Sequence, residues 1–247
     1  MPLNRGTLEG KRVLVTGAAH RIGRALALAA AGAGADVVIH YNQSASDAKS
    51  VQAEIEQMGR KGVLLQADLS DPAQVSGLVD LAQQSGPLYA LVNSAAIFAP
   101  LTWQDSRLED WNAHLALNLV VPFLLSQAFA RGLAEDAHGR IVNLLDWRAL
   151  RPGLDHLPYT VSKAALAALT RSLAAALAPR VTVNALALGA ILPPSGGSMA
   201  NPAILNNVPA QRWGTLEEVG DALVFLLGGP EYVTGEILYV DGGRHLS

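Results

Sequence analysis

The chain has 247 residues, half of them hydrophobic, with 23 glycines and a formal net charge of −3, enough for one large domain with a sizeable core. The near balance of charge and the lack of a basic run argue against nucleic acid or an anionic membrane surface as partner. No cysteine is present, which excludes disulfides and thiolate zinc sites and suits a reducing cytoplasm.

Met1–Lys11 lacks the apolar core of a signal peptide. Strands are predicted at Arg12–Thr16, Asp36–His40, Val63–Ala67, Tyr89–Asn93, Arg140–Leu145, Val181–Ala185 and Glu236–Val240. Helices are predicted between them, near Arg21–Gly34, Ser44–Gly59, Pro72–Gln84, Leu108–Arg131, Tyr159–Ala178 and Leu216–Leu227. Apolar strands alternating with helices predict an α/β, Rossmann-like fold over residues 1–247. It would be a doubly wound, mostly parallel seven-stranded sheet with helices on both faces, in a single domain, with ligands at the carboxyl ends of the strands. Trp111–Ala130 carries no Asp, Glu, Lys or Arg, yet its Asn112, His114, Asn118, Pro122 and Gln127 favour a buried interface helix over a membrane span. Val181–Gln211 is uncharged, and its later part is rich in proline and glycine. A flap over about residues 187–211 is expected there, either a lid on a partly apolar ligand or a loop at a subunit contact.

Thr16-Gly17-Ala18-Ala19-His20-Arg21-Ile22-Gly23 joins the first strand to the first helix. Glycines there let backbone approach a pyrophosphate, and the helix N-terminus supplies N–H donors. The second strand ends in His40-Tyr41-Asn42-Gln43-Ser44, without the acid that an NAD site directs at the ribose 2′-hydroxyl. A 2′-phosphate would fit among Arg21, His40, Asn42 and Ser44, which predicts NADPH; alternatively, these residues only cap the next helix. Asp68, after the third strand, is a candidate for the adenine amino group.

Tyr159 and Lys163 stand at i,i+4 and share a helix face, where the ammonium is expected to lower the phenol pKa toward proton transfer. Asp146 lies thirteen residues before the tyrosine. An ionised carboxylate only accepts hydrogen bonds, so it would repel a ketone's developing oxyanion and suit a nitrogen heterocycle rich in N–H groups. The plain alternative is a solvated acid paired with Arg148 or Arg151. In an α-helix the Asn118 carbonyl would face Pro122, which has no N–H, leaving it open to a water on a proton relay to Lys163. The alternative is a proline kink with packing value only. The histidines at 20, 114 and 156 are too scattered to propose a metal site.

Thr16–Gly23, Asp68-Leu69, Asn93-Ser94-Ala95-Ala96, Asn118, Tyr159–Lys163, Asn184 and Asp241-Gly242-Gly243 together resemble the short-chain dehydrogenase/reductase family across nearly the whole chain. Most members of that family carry serine where this chain has Asp146. Asp146, the Gly17–Gly23 loop, His40-Tyr41 with Ser44, Phe98 and the ending Gly243-Arg244-His245-Leu246 resemble the pteridine reductases and bacterial dihydromonapterin reductases. The resemblance implies catalytic roles for Asp146, Tyr159, Lys163 and Asn118. It implies cofactor contacts at Gly17, Arg21, Ile22, Gly23, His40, Tyr41, Asn42, Ser44, Asp68, Leu69, Asn93, Ser94, Ala95, Tyr159, Lys163, Gly189 and Ile191. Substrate contacts would fall to Arg21, Phe98, Asp146 and Tyr159, with Phe98 stacking on a pterin face, although an ordinary core aromatic also fits Phe98. Ala96, Gln43 and Leu188-Gly189 depart from the usual pattern.

The leading expectation is therefore an NADPH-dependent reductase of a pteridine, working as a cytoplasmic homotetramer, with a dimer as the alternative assembly. A carbonyl reductase of a small ketone, sugar or 3-oxoacyl thioester is the alternative activity. A catalytically silent NADPH-binding regulator is the third reading. In such an assembly Arg244-His245 would approach a neighbouring subunit's active site.

Overall fold

A computed structural model describes residues 7–192 and 202–247; the predicted flap's residues 193–201 lie outside the described residues. The seven strands are β1 Arg12–Val15, β2 Asp36–Tyr41, β3 Gly62–Gln66, β4 Ala90–Asn93, β5 Gly139–Asp146, β6 Val181–Leu188 and β7 Ile237–Val240. They form one sheet in the order β3-β2-β1-β4-β5-β6-β7, with every pairing parallel. All eight residues of β6 and seven of eight in β5 are buried, as strands covered on both faces require. The chain leaves β3 at one edge and returns to place β4 beside β1. That reversal opens a crevice at the carboxyl ends of β1 and β4.

The helices are α1 Arg21–Gly32, α2 Ala45–Gln57, α3 Pro72–Gln83, α4 Leu108–Leu115, α5 Val121–Arg131, α6 Leu157–Leu177 and α7 Leu216–Gly228. Leu26, Val51 and Leu223 seat α1, α2 and α7 in one core layer with Val13, Val37 and Leu186 of the sheet. Leu78, Leu125 and Leu173 seat α3, α5 and α6 in the opposite layer. Local signals fix several starts. Asp71 accepts the Ala73 N–H at 2.9 Å with Pro72 next in the chain, and Thr215 and Glu218 close a reciprocal capping box.

The helix predicted over Leu108–Arg131 is long and apolar enough to cross a membrane by length and composition, but it is not one continuous α-helix. Residues Ala116–Val120 form a π-helical turn in which the Val121 N–H reaches the Ala116 carbonyl. The register widens just ahead of Pro122, the residue with no N–H to give. The proline therefore marks a π-bulge rather than a simple kink, and Asn118 sits inside it, fully buried.

Candidate active site

The crevice is held open by side chains that bind backbone. Thr16 Oγ1 accepts the N–H groups of Ser94 at 2.9 Å and Ala95 at 3.0 Å, tying the loops after β1 and β4 together. Gly17 has φ +64°, and a Cβ there would stand 3.1 Å from Ala95 Cα. A Cβ on Gly23 would fall 2.1 Å from the Gly17 carbonyl oxygen. The turn thus requires two of its glycines and leaves bare backbone at the N-terminus of α1, the cradle a pyrophosphate needs. Arg21 adopts φ +53°, which is unfavourable for any residue with a Cβ. Ile22 is half-buried against the core beside it.

His40 lies under this loop rather than open to a phosphate. It is 2% exposed; its Nδ1 accepts the Gly17 N–H at 3.1 Å, and its Nε2 donates to the Ala67 carbonyl at 3.2 Å. Burial pulls its pKa down to about 4, so the ring is neutral. The predicted 2′-phosphate contact at His40 is replaced by a bracing role, because both ring nitrogens are already engaged by backbone. The rest of the set lies at the surface. Residues 40–44 offer no carboxylate, and Ser44 begins α2 without a side-chain capping bond, so the capping alternative is not what occupies its hydroxyl. Asn42 is exposed and Tyr41 half-buried. Asp68 accepts from Ser70 N and Oγ at 2.9 and 2.8 Å; those bonds hold its carboxyl below the usual range. Leu69 is buried in the core, and Ile191 is buried after β6, where the Gly189 N–H bonds the Val240 carbonyl at 3.0 Å.

Asn93 belongs to a buried polar ladder. Its amide donates to Asn143 Oδ1 at 2.8 Å, and the Asn143 amide donates to Thr170 Oγ1 at 2.9 Å. This ladder fixes α6 against the ends of β4 and β5, and no motif marks Asn143 or Thr170 in the sequence.

At the carboxyl end of β5 the strand runs one residue further than predicted and ends on Asp146. Helix α6 opens at Leu157 with Pro158 in its first turn, presenting Tyr159 and Lys163 on the buried side. Tyr159 Oη lies 3.5 Å from Asp146 Oδ2, at the outer limit of a hydrogen bond. The other carboxylate oxygen accepts the Arg148 N–H at 2.9 Å, with the Arg148 guanidinium 3.5 Å away. Asp146 is thus neither a solvated acid nor only a partner of arginine; it bridges Arg148 and the phenol. Lys163 Nζ donates to the Leu144 carbonyl at 2.7 Å. Asn118 clamps Ile97 by two bonds, accepting its N–H at 2.9 Å and donating to its carbonyl at 3.0 Å, and also donates to Ser162 Oγ at 3.1 Å. Its side chain holds the loop after β4 against α6.

The charge state differs from the sequence expectation. Tyr159 is held well above its ordinary pKa, first by burial and then by the Asp146 carboxylate; the lysine does not lower it here. Lys163 is itself weakened to about 8 by burial, against the pull of Asp146. Burial also raises Asp146, opposed by the Arg148 and Lys163 charges. A protonated phenol beside a carboxylate and a weakened ammonium forms a proton-donating group.

Phe98 is not a core aromatic: it is 53% exposed. One face stacks on His156 at 4.0 Å, and its ring meets Tyr159 edge-on at 4.7 Å. Arg148 lies 5.9 Å from the Phe98 ring, and Trp147 carries Arg148 and Arg244 at 4.9 and 4.3 Å. His156 and Trp147, which the sequence did not mark as site residues, are thereby brought together with Arg148, expected as a partner of Asp146, and with Arg244, expected near a neighbour's active site but found here on Trp147 of its own chain.

A family model described as enoyl-(acyl carrier protein) reductase matches residues 17–245. A 3-oxoacyl-[acyl-carrier-protein] reductase of Synechocystis sp. is 35% identical over 240 residues, 96% of this chain and 97% of that protein. The chain belongs to the short-chain dehydrogenase/reductase family. This reductase is also similar to FolM alternative dihydrofolate reductase 1 from Brucella canis, solved with NADP, at TM-score 0.92 and 34% identity, covering 99% of this chain and 97% of that one. A short-chain dehydrogenase from Burkholderia cenocepacia, also solved with NADP, gives TM-score 0.90 and 38% identity over 98% and 99% of the two chains. The chain is therefore an NAD(P)-dependent oxidoreductase of that family.

Proposed function

We propose that this enzyme reduces a dihydropterin-class substrate with NADPH, and that Tyr159 delivers the proton. The observation that carries this reading is the Asp146 carboxylate 3.5 Å from the phenol, where a hydrogen-bond acceptor favours an N–H-rich ring. NADPH fits the residues present: the bare backbone of the Gly17 turn for the pyrophosphate, and Asn42 and Ser44, with no acid from 40 to 44, for the 2′-phosphate. When bound it supplies the hydride. Arg21, exposed at the start of the first helix, would meet phosphate and ring oxygen. Tyr159 gives its proton to the ring nitrogen next to the accepting carbon, and Lys163 restores the phenol. Asp146 accepts from a substrate N–H and holds the phenol in line. Phe98 offers its ring to a flat ligand, with His156 backing the other face.

The names of relatives such as the Synechocystis protein support a second reading, reduction of a 3-oxoacyl or other ketone carbonyl. NADPH oxidation followed with 7,8-dihydrobiopterin and with a 3-oxoacyl thioester separates the two. Asp146→Ser should cut pterin turnover about 100-fold, the scale of one positioned proton-transfer partner, and leave the ketone rate equal or higher. Pterin turnover unaffected by the substitution would overturn the pterin reading.

We further propose a homotetrameric assembly in the cytoplasm. Leu108, Val120, Phe123 and Val161 leave an apolar surface on α4 to α6 that suits subunit pairing. Light scattering of the purified protein tests it.

A further inference from the structure

Arg244 follows β7 in a short 3-10 turn that packs on the turn Trp147–Ala149. Its guanidinium lies on the Trp147 indole at 4.3 Å, and Arg148 approaches the same ring at 4.9 Å. Two cations on one indole need counter-charge. Arg148 has it, in Asp146 and Asp155 at 3.5 and 3.3 Å. The third nearby acid, Asp241, is consumed by the N–H groups of Gly243 and His245 and by the His245 ring at 2.7 Å. Arg244 makes no ion pair among the described residues, and its buried Nε has no hydrogen-bond partner there. No acid of this chain is hidden elsewhere, because residues 1–6 and 193–201 contain neither Asp nor Glu. Arg148 Nε is likewise without a partner, but Arg148 has its acids; Arg244 does not, and since its Nε is closed to solvent, an anion would be met by the outer nitrogens of this half-exposed side chain.

Its position says which anion. From Tyr159 the contacts run through Phe98 to Arg148, then across Trp147 to Arg244, so the cation without an ion pair is joined to the phenol's surroundings by two aromatic rings rather than touching the phenol itself. We infer that Arg244, resting on Trp147, is an anion-binding subsite of the substrate pocket that takes a carboxylate or phosphate on the substrate's side chain. The inference deepens the pterin reading and rests on it for the identity of the ring. Trp147 supplies the flat platform on which the guanidinium rests at 4.3 Å. Arg148 stays bound to Asp146 and keeps the acid in place.

The test compares paired substrates at saturating NADPH. For dihydrofolate, which ends in carboxylates, R244M should raise KM about tenfold or more with little change in kcat, the scale of one lost charge-assisted hydrogen bond. For neutral 7,8-dihydrobiopterin, which carries no anionic group for the guanidinium to meet, KM should stay within about twofold. R244K should recover part of the dihydrofolate KM. Dihydroneopterin and its phosphate monoester, compared in the same way, decide whether phosphate is accepted as well as carboxylate. If no pterin is turned over, 4-oxopentanoate against its methyl ester asks the same question of a ketone substrate, so the subsite survives or falls separately from the ring assignment. An equal loss on charged and neutral members of a pair, or dissociation of the assembly in R244M, would make Arg244 a packing residue and overturn the inference.

Discussion

His40 makes the cofactor loop acid-sensitive, and the size of the effect follows from its burial. The neutral ring accepts from Gly17 at Nδ1 and donates to Ala67 from Nε2. Protonation would put a hydrogen on Nδ1 directly against the Gly17 N–H. The folded pKa is about 4, against an ordinary value of 6.5. Between those values the unfolded chain binds the extra proton and the folded chain does not, so stability rises with pH across that window. The contribution is complete above pH 6.5 and is lost as pH falls through 4; over the whole window it amounts to about 3 kcal/mol. Urea denaturation followed by tryptophan fluorescence at pH 7, 5.5 and 4 measures it. Carboxylates titrate in the same range, so the informative quantity is wild type minus His40→Asn, whose amide has no titration there. That difference should shrink by roughly 3 kcal/mol between pH 7 and pH 4, and NADPH affinity should weaken with it because Gly17 forms the cradle. A difference that stays flat with pH would mean the ring opens to water or is already charged, and the bracing role would fail.

Three further outcomes bear on the chemistry. Tyr159→Phe should lower turnover by about 100-fold or more while equilibrium binding of NADPH, read by fluorescence titration, stays close to wild type; loss of binding would assign the tyrosine to structure. Asn42→Asp should move preference from NADPH toward NADH in paired KM measurements, since the new charge repels a 2′-phosphate, and an unchanged ratio would place that phosphate elsewhere. The Lys163 ammonium, weakened to about 8 by burial, is charged below that pH and neutral above it. Reductase kcat/KM should therefore fall as pH rises through about 8, and a profile flat to well above that point would remove Lys163 from proton supply.

The sheet was legible because its strands are apolar on both sides. Val142 and Ile141 point into opposite core layers, and the strand predicted at Val181–Ala185 is the start of a fully buried strand that runs on to Leu188, so residues 187 and 188 belong to the sheet and not to the expected flap. Tyr159 and Lys163 were legible through spacing alone. What spacing lacks is the sign of the local field: a shared helix face suggested an ammonium stabilising a phenolate, yet burial and Asp146 act the other way. His40 was misplaced because a polar residue closing a strand looks the same whether it meets ligand or backbone. Its partners, Gly17 and Ala67, come from loops 23 and 27 residues away. The π-turn at Ala116–Val120 was hidden for a related reason. Pro122 signalled a disturbance, but hydrophobic periodicity cannot distinguish a kink from a widened turn.

On the proposed pterin reading, the electrostatics around Asp146 are what would restrict the substrate. One carboxylate oxygen holds the 3-10 turn through the Arg148 N–H, a task a serine hydroxyl could share; the other faces Tyr159. An oxyanion developing on a ketone about 4 Å from that charge meets a repulsion of roughly 4 kcal/mol at an effective dielectric of about 20, close to a thousandfold in rate. A ring N–H in the same place gains a charge-assisted hydrogen bond of about 1.5–3 kcal/mol. The discrimination exists only while Asp146 is ionised, and burial works against that. Arg148 at 3.5 Å and the Lys163 ammonium are the two charges that oppose the burial. On the proposed pterin reading Arg148 would be part of the specificity without touching the reacting atoms, and Lys163 would serve twice, as proton source and as a charge that favours an ionised acid.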